Sequence, residues 1–158
     1  MKPSVYIETT VISYLTARPH RDIVVAGHQQ ATRDWWETAH EQFHVFASTL
    51  VASEASKGDP EAARERLEVL SKLSLLAITD DARTLAGLLV ARRAVPLSME
   101  EDALHLAIAA TNGLDYLVTW NCRHLANATI RPLIERICRD WGCRSPEICT
   151  PEVLYRNL

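Results

Sequence analysis

The sequence has 158 residues, of which 47% are hydrophobic and 23% charged. This composition is that of an ordinary globular protein, and the length predicts one domain over residues 1–158. The net charge of −3 argues against a protein that binds nucleic acid mainly through a large positive net charge. The first residues lack the pattern of a signal peptide, and no apolar run approaches the roughly 20 residues of a membrane span. We therefore expect a soluble, cytoplasmic protein with no membrane partner.

Short apolar runs alternate with longer amphipathic stretches along the chain. The runs predict five strands, at residues 4–7, 44–47, 75–78, 115–118 and 147–150. The stretches between them predict helices, at about residues 10–15, 22–42, 49–57, 60–73, 80–93, 102–112 and 130–141. Strands that alternate with helices indicate an α/β fold with a mostly parallel sheet covered on both faces.

Polar residues at the predicted helix starts indicate N-caps. Either Thr9 or Thr10 is expected to cap the first helix. Ser98 and Glu101 match a capping box, in which the serine caps the helix and the glutamate reaches back to it. Because the box accounts for Glu101, we do not assign this residue to a functional site.

Four polar residues follow the predicted strands or begin the helices after them. They are Glu8, Glu54, Asp102 and Asn121. In a parallel sheet these positions meet at the carboxyl ends of the strands, where such folds place their functional crevice. Three carboxylates and a carboxamide at one point repel each other unless a cation lies among them, and hard oxygen ligands suit Mg²⁺ or Mn²⁺. Such an ion can polarise a phosphodiester and activate a water molecule.

Each of these residues also has a structural interpretation. Glu8 can be an exposed charge at a strand end, Glu54 a solvated helix carboxylate, and Asp102 a charge that favours the helix dipole. His105, three residues after Asp102, can contact the site or RNA, but in an apolar helix we interpret it as a hydrogen-bonded core histidine. Arg123 and His124 can bind a phosphate or cap the turn after the fourth strand.

The chain resembles PIN-domain proteins of the VapC-like toxin group. The matching segments are residues 5–10, 13–15, 48–51, 53–54, 101–109, 117–121, 124–125 and 146–152. The Asp-Ala-Leu-His block at residues 102–105 is the most specific of them. The resemblance implies a three-layer α/β/α sandwich and a Mg²⁺- or Mn²⁺-dependent ribonuclease. It also implies RNA as the substrate, a small antitoxin as the partner and a homodimer.

The resemblance also implies roles for individual residues. Glu8, Glu54 and Asp102 match three acids of the family site, and Asn121 stands where many members have a fourth Asp. Thr9 and Thr119 match supporting hydroxyl positions. Glu8 is one methylene longer than the usual Asp, and Asn121 offers a carbonyl oxygen without charge, which weakens binding of a second metal. A PIN-fold protein with weak catalysis, acting through an antitoxin or a dimer interface, is therefore the alternative function.

A competing motif lies between the second helix and the second strand. Residues 40–44 read His-Glu-Gln-Phe-His, which matches the H-E-x-x-H pattern of zinc peptidases. The pattern binds zinc only when both imidazoles lie on one face of a continuous helix. Because a strand is predicted to start at His44, we expect this alternative to fail.

Overall fold

A five-stranded sheet forms the centre of the protein in the computed structural model, which describes residues 1–154. The strands are β1 (Ser4–Ile7), β2 (His44–Ser48), β3 (Ser74–Leu76), β4 (Tyr116–Val118) and β5 (Glu147–Cys149). Their order is β3-β2-β1-β4-β5, and every neighbouring pair is parallel. The structure thus confirms the parallel sheet that the sequence predicts. The last four residues of the predicted domain, 155–158, lie outside the described residues.

Seven α-helices connect these strands within residues 1–154. They are α1 (Thr9–Thr16), α2 (Ile23–Gln42), α3 (Thr49–Ala55), α4 (Pro60–Leu70), α5 (Asp80–Ala91), α6 (Glu100–Thr111) and α7 (Arg131–Trp141). One group of helices packs around α1, which contacts α2, α3 and α4. A second group packs around α5, which contacts α6 and α7. Helices and sheet together form an α/β/α sandwich. No helix of residues 1–154 has the length and apolar character needed to cross a membrane.

Local sequence explains most of these boundaries. The carboxylates of Asp22 and Asp59 cap α2 and α4, and the hydroxyls of Ser48 and Thr79 cap α3 and α5. The central strand β1 is fully buried from Val5 onward, as its apolar run predicts. The helix α6 also buries most of its side chains, which confirms the central helix that its composition predicts.

Two local predictions are wrong. The strand β3 is one residue earlier and shorter than predicted, and it lies at the sheet edge with Leu75 42% exposed, so it is not a buried strand. The capping box at Ser98 does not form, because residues Leu97–Met99 make a 3₁₀ turn and α6 begins without a side-chain cap. Glu101 is therefore not held by Ser98.

The strand order creates a crevice at one position. The chain moves outward from β1 to β2 and β3, then returns to the other side of β1 to form β4 and β5. The connections therefore diverge between β1 and β4, and open parallel sheets bind ligands beyond the carboxyl ends of strands at such a switch point. Ile7 and Val118 are paired there, so Glu8 and Thr119 emerge side by side.

Candidate functional site

Glu8 is held in place by hydroxyl groups at the ends of β1 and β4. Its side chain is only 4% exposed. The Oε2 atom accepts hydrogen bonds from Thr10 Oγ1 at 2.5 Å and from Thr119 Oγ1 at 2.7 Å. It also accepts one from the backbone N–H of Thr10 at 3.2 Å. Glu8 itself is thus the N-cap of α1, and the prediction that Thr9 or Thr10 caps this helix is wrong. The interpretation of Glu8 as an exposed strand-end charge is wrong as well.

The end of β4 is tied to the start of α1 through the same hydroxyls. Thr119 Oγ1 accepts the backbone N–H of Asn121 at 2.9 Å. Thr10 Oγ1 accepts the backbone N–H of Trp120 at 3.0 Å. Each hydroxyl thus accepts from a backbone group and donates to Glu8, and the segment that carries Asn121 is fixed relative to that carboxylate. Thr119, which the resemblance implies as a supporting residue, contacts Glu8 directly.

Glu54 lies near the end of α3 with its side chain 21% exposed. Its Oε1 atom accepts hydrogen bonds from Thr9 Oγ1 at 2.8 Å and from Nε2 of the buried His105 at 2.5 Å. Burial alone would raise the pKa of the Glu54 carboxyl, but the hydrogen bond and attraction from His105, helped by Thr9, lower it overall. Glu54 is therefore a positioned, ionised carboxylate, and its interpretation as a solvated helix charge is wrong.

Asp102 lies in the first turn of α6 and faces the loop after β4. Its Oδ2 atom accepts a hydrogen bond from Asn121 Nδ2 at 2.9 Å, and Asn121 Oδ1 accepts the backbone N–H of His124 at 3.1 Å. Burial raises the pKa of Asp102 even though the hydrogen bond from Asn121 lowers it. The carboxyls of Glu54 and Asp102 therefore have pKa shifts of opposite sign.

The structure brings the predicted residues together as two connected networks. One joins Glu8, through Thr119 and Asn121, to Asp102. The other joins Glu54 to Thr9, next to Thr10 in the first turn of α1. The charge of Glu54 also contributes to the raised pKa of Asp102, after burial as the main cause. Among residues 1–154, however, no three His, Cys, Asp or Glu side chains are arranged to hold a metal ion.

Arg123 and His124 lie beside this site on the loop after β4. The Arg123 side chain is exposed, whereas its backbone oxygen accepts a hydrogen bond from Asn127 at 3.0 Å. The His124 backbone holds Asn121, and the side chain of His124 favours the charged form of Asp102. The backbone contacts of both residues support the interpretation that they form the turn after β4. Phosphate binding by their side chains stays a prediction.

Three residues of the site were missed or set aside by sequence reasoning. Thr10 and His105 bind Glu8 and Glu54 directly. Glu101 lies near Glu54, and its side chain is not held in a capping box. Glu101 directly precedes the Asp-Ala-Leu-His block at residues 102–105. This adjacency was the sequence signal that could have placed Glu101 at the site.

The H-E-x-x-H residues do not form a zinc site. His40 lies in the last turn of α2, whereas His44 is the first residue of β2. Between them, Phe43 has an extended backbone that ends the helix. The continuous helical face that the motif requires is absent, so the zinc peptidase alternative is wrong.

The comparison with known proteins adds the fold. The sequence matches no protein-family model and no curated protein. The structure matches one chain of the crystal structure of VapBC2 from Rickettsia felis bound to a DNA fragment from their promoter. The match has a TM-score of 0.56 and 16% identity, and it covers 75% of this chain and 89% of that chain. The chain therefore has the PIN-like α/β/α fold that the resemblance predicts.

Proposed function

We propose that the protein is a divalent-metal-dependent ribonuclease of the PIN-domain toxin type that cleaves RNA phosphodiester bonds with an activated water molecule. One observation carries the proposal: Glu8, Asp102 and Asn121 are joined by hydrogen bonds at the switch point of the sheet. Glu54 is held by Thr9, beside them. Glu8 follows β1, Glu54 lies on α3 and Asp102 lies on α6, in a fold that matches a VapBC2 chain.

The donor chemistry of the site suits Mg²⁺ or Mn²⁺. The hydrogen bonds described above end on a single oxygen of each carboxylate: Oε2 of Glu8, Oε1 of Glu54 and Oδ2 of Asp102. Because no set of three such side chains encloses an ion within residues 1–154, we expect water to complete the coordination. Mg²⁺ usually keeps several waters and binds one or two carboxylates. When bound, either ion supplies a Lewis acid for phosphate oxygens and lowers the pKa of a coordinated water.

The residues around the carboxylates keep these groups oriented. Thr10 and Thr119 hold Glu8, and Asn121 holds Asp102, each by hydrogen bonds shorter than 3 Å. We propose that Glu8, Glu54 and Asp102 are the ligands and that Asn121 completes the site directly or through water. The exposed Arg123 and the neighbouring His124 are proposed to contact a phosphate of the RNA.

Cleavage of RNA by the purified protein tests this proposal. We expect cleavage in Mg²⁺ or Mn²⁺ that is abolished in Asp102→Asn, because the amide lacks the charge that the ion requires. The matched control is Asp81→Asn, since Asp81 is an exposed carboxylate in the first turn of α5. Equal cleavage by wild type and Asp102→Asn would show that the metal site is assigned to the wrong residues.

A second function is supported by the internal hydrogen bonding of the site. Each carboxylate already has protein partners, and no three-ligand cage is formed among the described residues. This arrangement favours a PIN-fold module with weak catalysis that acts through a small antitoxin or a homodimer interface. The absence of cleavage over a broad RNA panel in Mn²⁺ would support this function, and light scattering of the purified chain would test the homodimer.

A further inference from the structure

A chain of buried hydrogen bonds runs from the backbone of α3 to Glu54. The N–H of Val51 donates to Ser48 Oγ at 3.1 Å, and Ser48 Oγ lies 2.8 Å from the hydroxyl of Tyr6. That hydroxyl lies 2.7 Å from His105 Nδ1, and His105 Nε2 lies 2.5 Å from Glu54 Oε1. Ser48, Tyr6 and His105 are all buried. The chain therefore links β2, β1 and α6 to one carboxylate of the site.

The Val51 end of this chain favours one direction for its hydrogen bonds. A backbone N–H can only donate, so Ser48 Oγ accepts from Val51, and the hydroxyl of Tyr6 is the acceptor available for the Ser48 proton. The phenol of Tyr6 then donates to Nδ1 of His105. The proton of the imidazole is left on Nε2, where it is donated to Glu54. The carboxylate of Glu54 accepts this proton, so the same direction satisfies both ends of the chain.

The reverse direction leaves a buried donor without a partner. If Nδ1 of His105 carried the proton and donated to Tyr6, the phenol would donate to Ser48. Ser48 Oγ would then accept twice, from Tyr6 and from Val51. Among the hydrogen bonds of residues 1–154 its own proton would have no acceptor. A buried hydroxyl without an acceptor costs free energy, so the first direction is favoured.

We propose that His105 is a positioning residue for Glu54 and that Ser48 and Tyr6 set its tautomer. In this arrangement His105 holds the proton on Nε2 and, together with Thr9, fixes Oε1 of Glu54. The inference rests on the proposed function for its catalytic consequence, but the tautomer itself does not. His105 is thus the buried, hydrogen-bonded histidine that the sequence predicts, and its hydrogen bonds also connect it to the site.

Nitrogen NMR of protein labelled at its six histidines tests the tautomer without any RNA. The signals that vanish in His105→Gln belong to His105. We expect a protonated Nε2 and an unprotonated Nδ1, and we expect Tyr6→Phe to shift the Nδ1 signal. The control is Tyr116→Phe, because Tyr116 is the first residue of β4 and packs on Phe43. A protonated Nδ1, an average of both tautomers, or an unchanged spectrum in Tyr6→Phe would overturn the proposal.

Rescue by a conservative variant tests the positioning role. The amide nitrogen of Gln can replace Nε2 as donor to Glu54, whereas Leu has no donor. Loss of a hydrogen-bond partner behind a metal-binding carboxylate commonly lowers activity 10–100-fold. We therefore expect about a 10–100-fold slower RNA cleavage in His105→Leu and a smaller loss in His105→Gln. If His105→Leu and His105→Gln are both folded and lose RNA cleavage equally, the positioning role of His105 is wrong. If the wild type cleaves no RNA, the proposed function fails, and the tautomer spectrum alone decides the hydrogen-bond chain.

Discussion

The side-chain amide of Asn121 donates a hydrogen bond to Oδ2 of Asp102 across 2.9 Å. The orientation of this amide is fixed, because its oxygen accepts the backbone N–H of His124. The carbonyl oxygen that the sequence offers as a metal ligand thus already accepts one hydrogen bond, and Asn121 also acts on Asp102 through its nitrogen. Since burial raises the pKa of Asp102, the amide compensates part of the cost of keeping this carboxylate charged.

Asn121→Asp is expected to destabilise the metal-free protein. The change replaces a donor with a second carboxylate next to Asp102, and like charges at hydrogen-bonding distance repel. We expect a loss of about 1–3 kcal/mol in the free energy of unfolding near neutral pH, the usual cost of disrupting such a buried contact. Mn²⁺ should raise the melting temperature of this variant more than that of wild type, because the added charge strengthens cation binding. Thermal unfolding with and without Mn²⁺ measures both effects.

Asn127→Asp is the matched control for this experiment. Asn127 is half-buried; its Nδ2 donates to the backbone oxygen of Arg123, and its Oδ1 accepts from the N–H and hydroxyl of Thr129. Asn127→Asp therefore also removes one donor and adds one charge, but it faces no second carboxylate, so we expect a smaller loss of stability and no extra effect of Mn²⁺. A gain in stability for Asn121→Asp without metal would contradict the assigned contact.

Thr119→Val is expected to destabilise the protein through Glu8. The buried hydroxyl of Thr119 donates to Glu8 and accepts from the N–H of Asn121. Its removal takes one hydrogen bond from the Glu8 carboxylate and the acceptor from the Asn121 N–H. We expect a loss of about 1–3 kcal/mol in the free energy of unfolding, measured by urea denaturation. The control Thr111→Val removes a hydroxyl that only adds bonds to the carbonyls of Ala107 and Ile108 on the same helix. Equal effects of the two substitutions would show that the contact with Glu8 contributes nothing.

Asp115 is expected to make stability depend on acid pH. Its carboxylate accepts from the N–H and hydroxyl of Ser4 and from Arg144, and the backbone bond from Ser4 is the main cause that lowers the pKa of Asp115. Because the folded pKa is below the unfolded value of about 3.9, the contribution is present above that pH and lost as the pH falls through the folded pKa. The group is 39% exposed, so solvent screening limits the contribution to at most about 1 kcal/mol.

The measurement for Asp115 compares urea unfolding of wild type and Asp115→Asn between about pH 7 and about pH 3. We expect the wild type to be more stable at neutral pH and the gap to narrow in acid. Asp34→Asn, which changes an exposed carboxylate of α2, gives the background effect of removing one charge. A gap that widens as the pH falls would contradict the lowered pKa of Asp115.

Much of the fold could be predicted because its signals are local. The apolar run at β1 and the Asp59-Pro60 helix start depend on a few neighbouring residues, and both are confirmed. The alternation of strands and helices predicts parallel pairing, which places the ends of successive strands together. That Glu8 lies at the same edge of the sheet as the other strand ends follows from this pairing, whereas its neighbour Thr119 depends on the strand order.

The details of the site could not be predicted because their partners are distant in sequence. Thr119 reaches Glu8 across 111 positions, and Tyr6 reaches His105 across 99. No periodicity or spacing reports such contacts. The capping box is a different case, because here a local pattern predicted a contact that is absent. Ser98 lies in the 3₁₀ turn before α6 and does not cap the helix that contains Glu101. A strand at the sheet edge likewise exposes Leu75, although its apolar run suggested burial.

His40→Ala and His44→Ala are expected to leave zinc binding and stability nearly unchanged. Both side chains are exposed, and they lie on different elements, the end of α2 and the start of β2. His40 packs only the edge of its ring against Trp36, at 4.9 Å between centroids. We therefore expect the free energy of unfolding to change by less than about 0.5 kcal/mol in either variant. Metal analysis after dialysis against Zn²⁺ should give the same content for wild type and both variants. One tightly held zinc per chain, lost in both variants, would restore the peptidase motif as a real site.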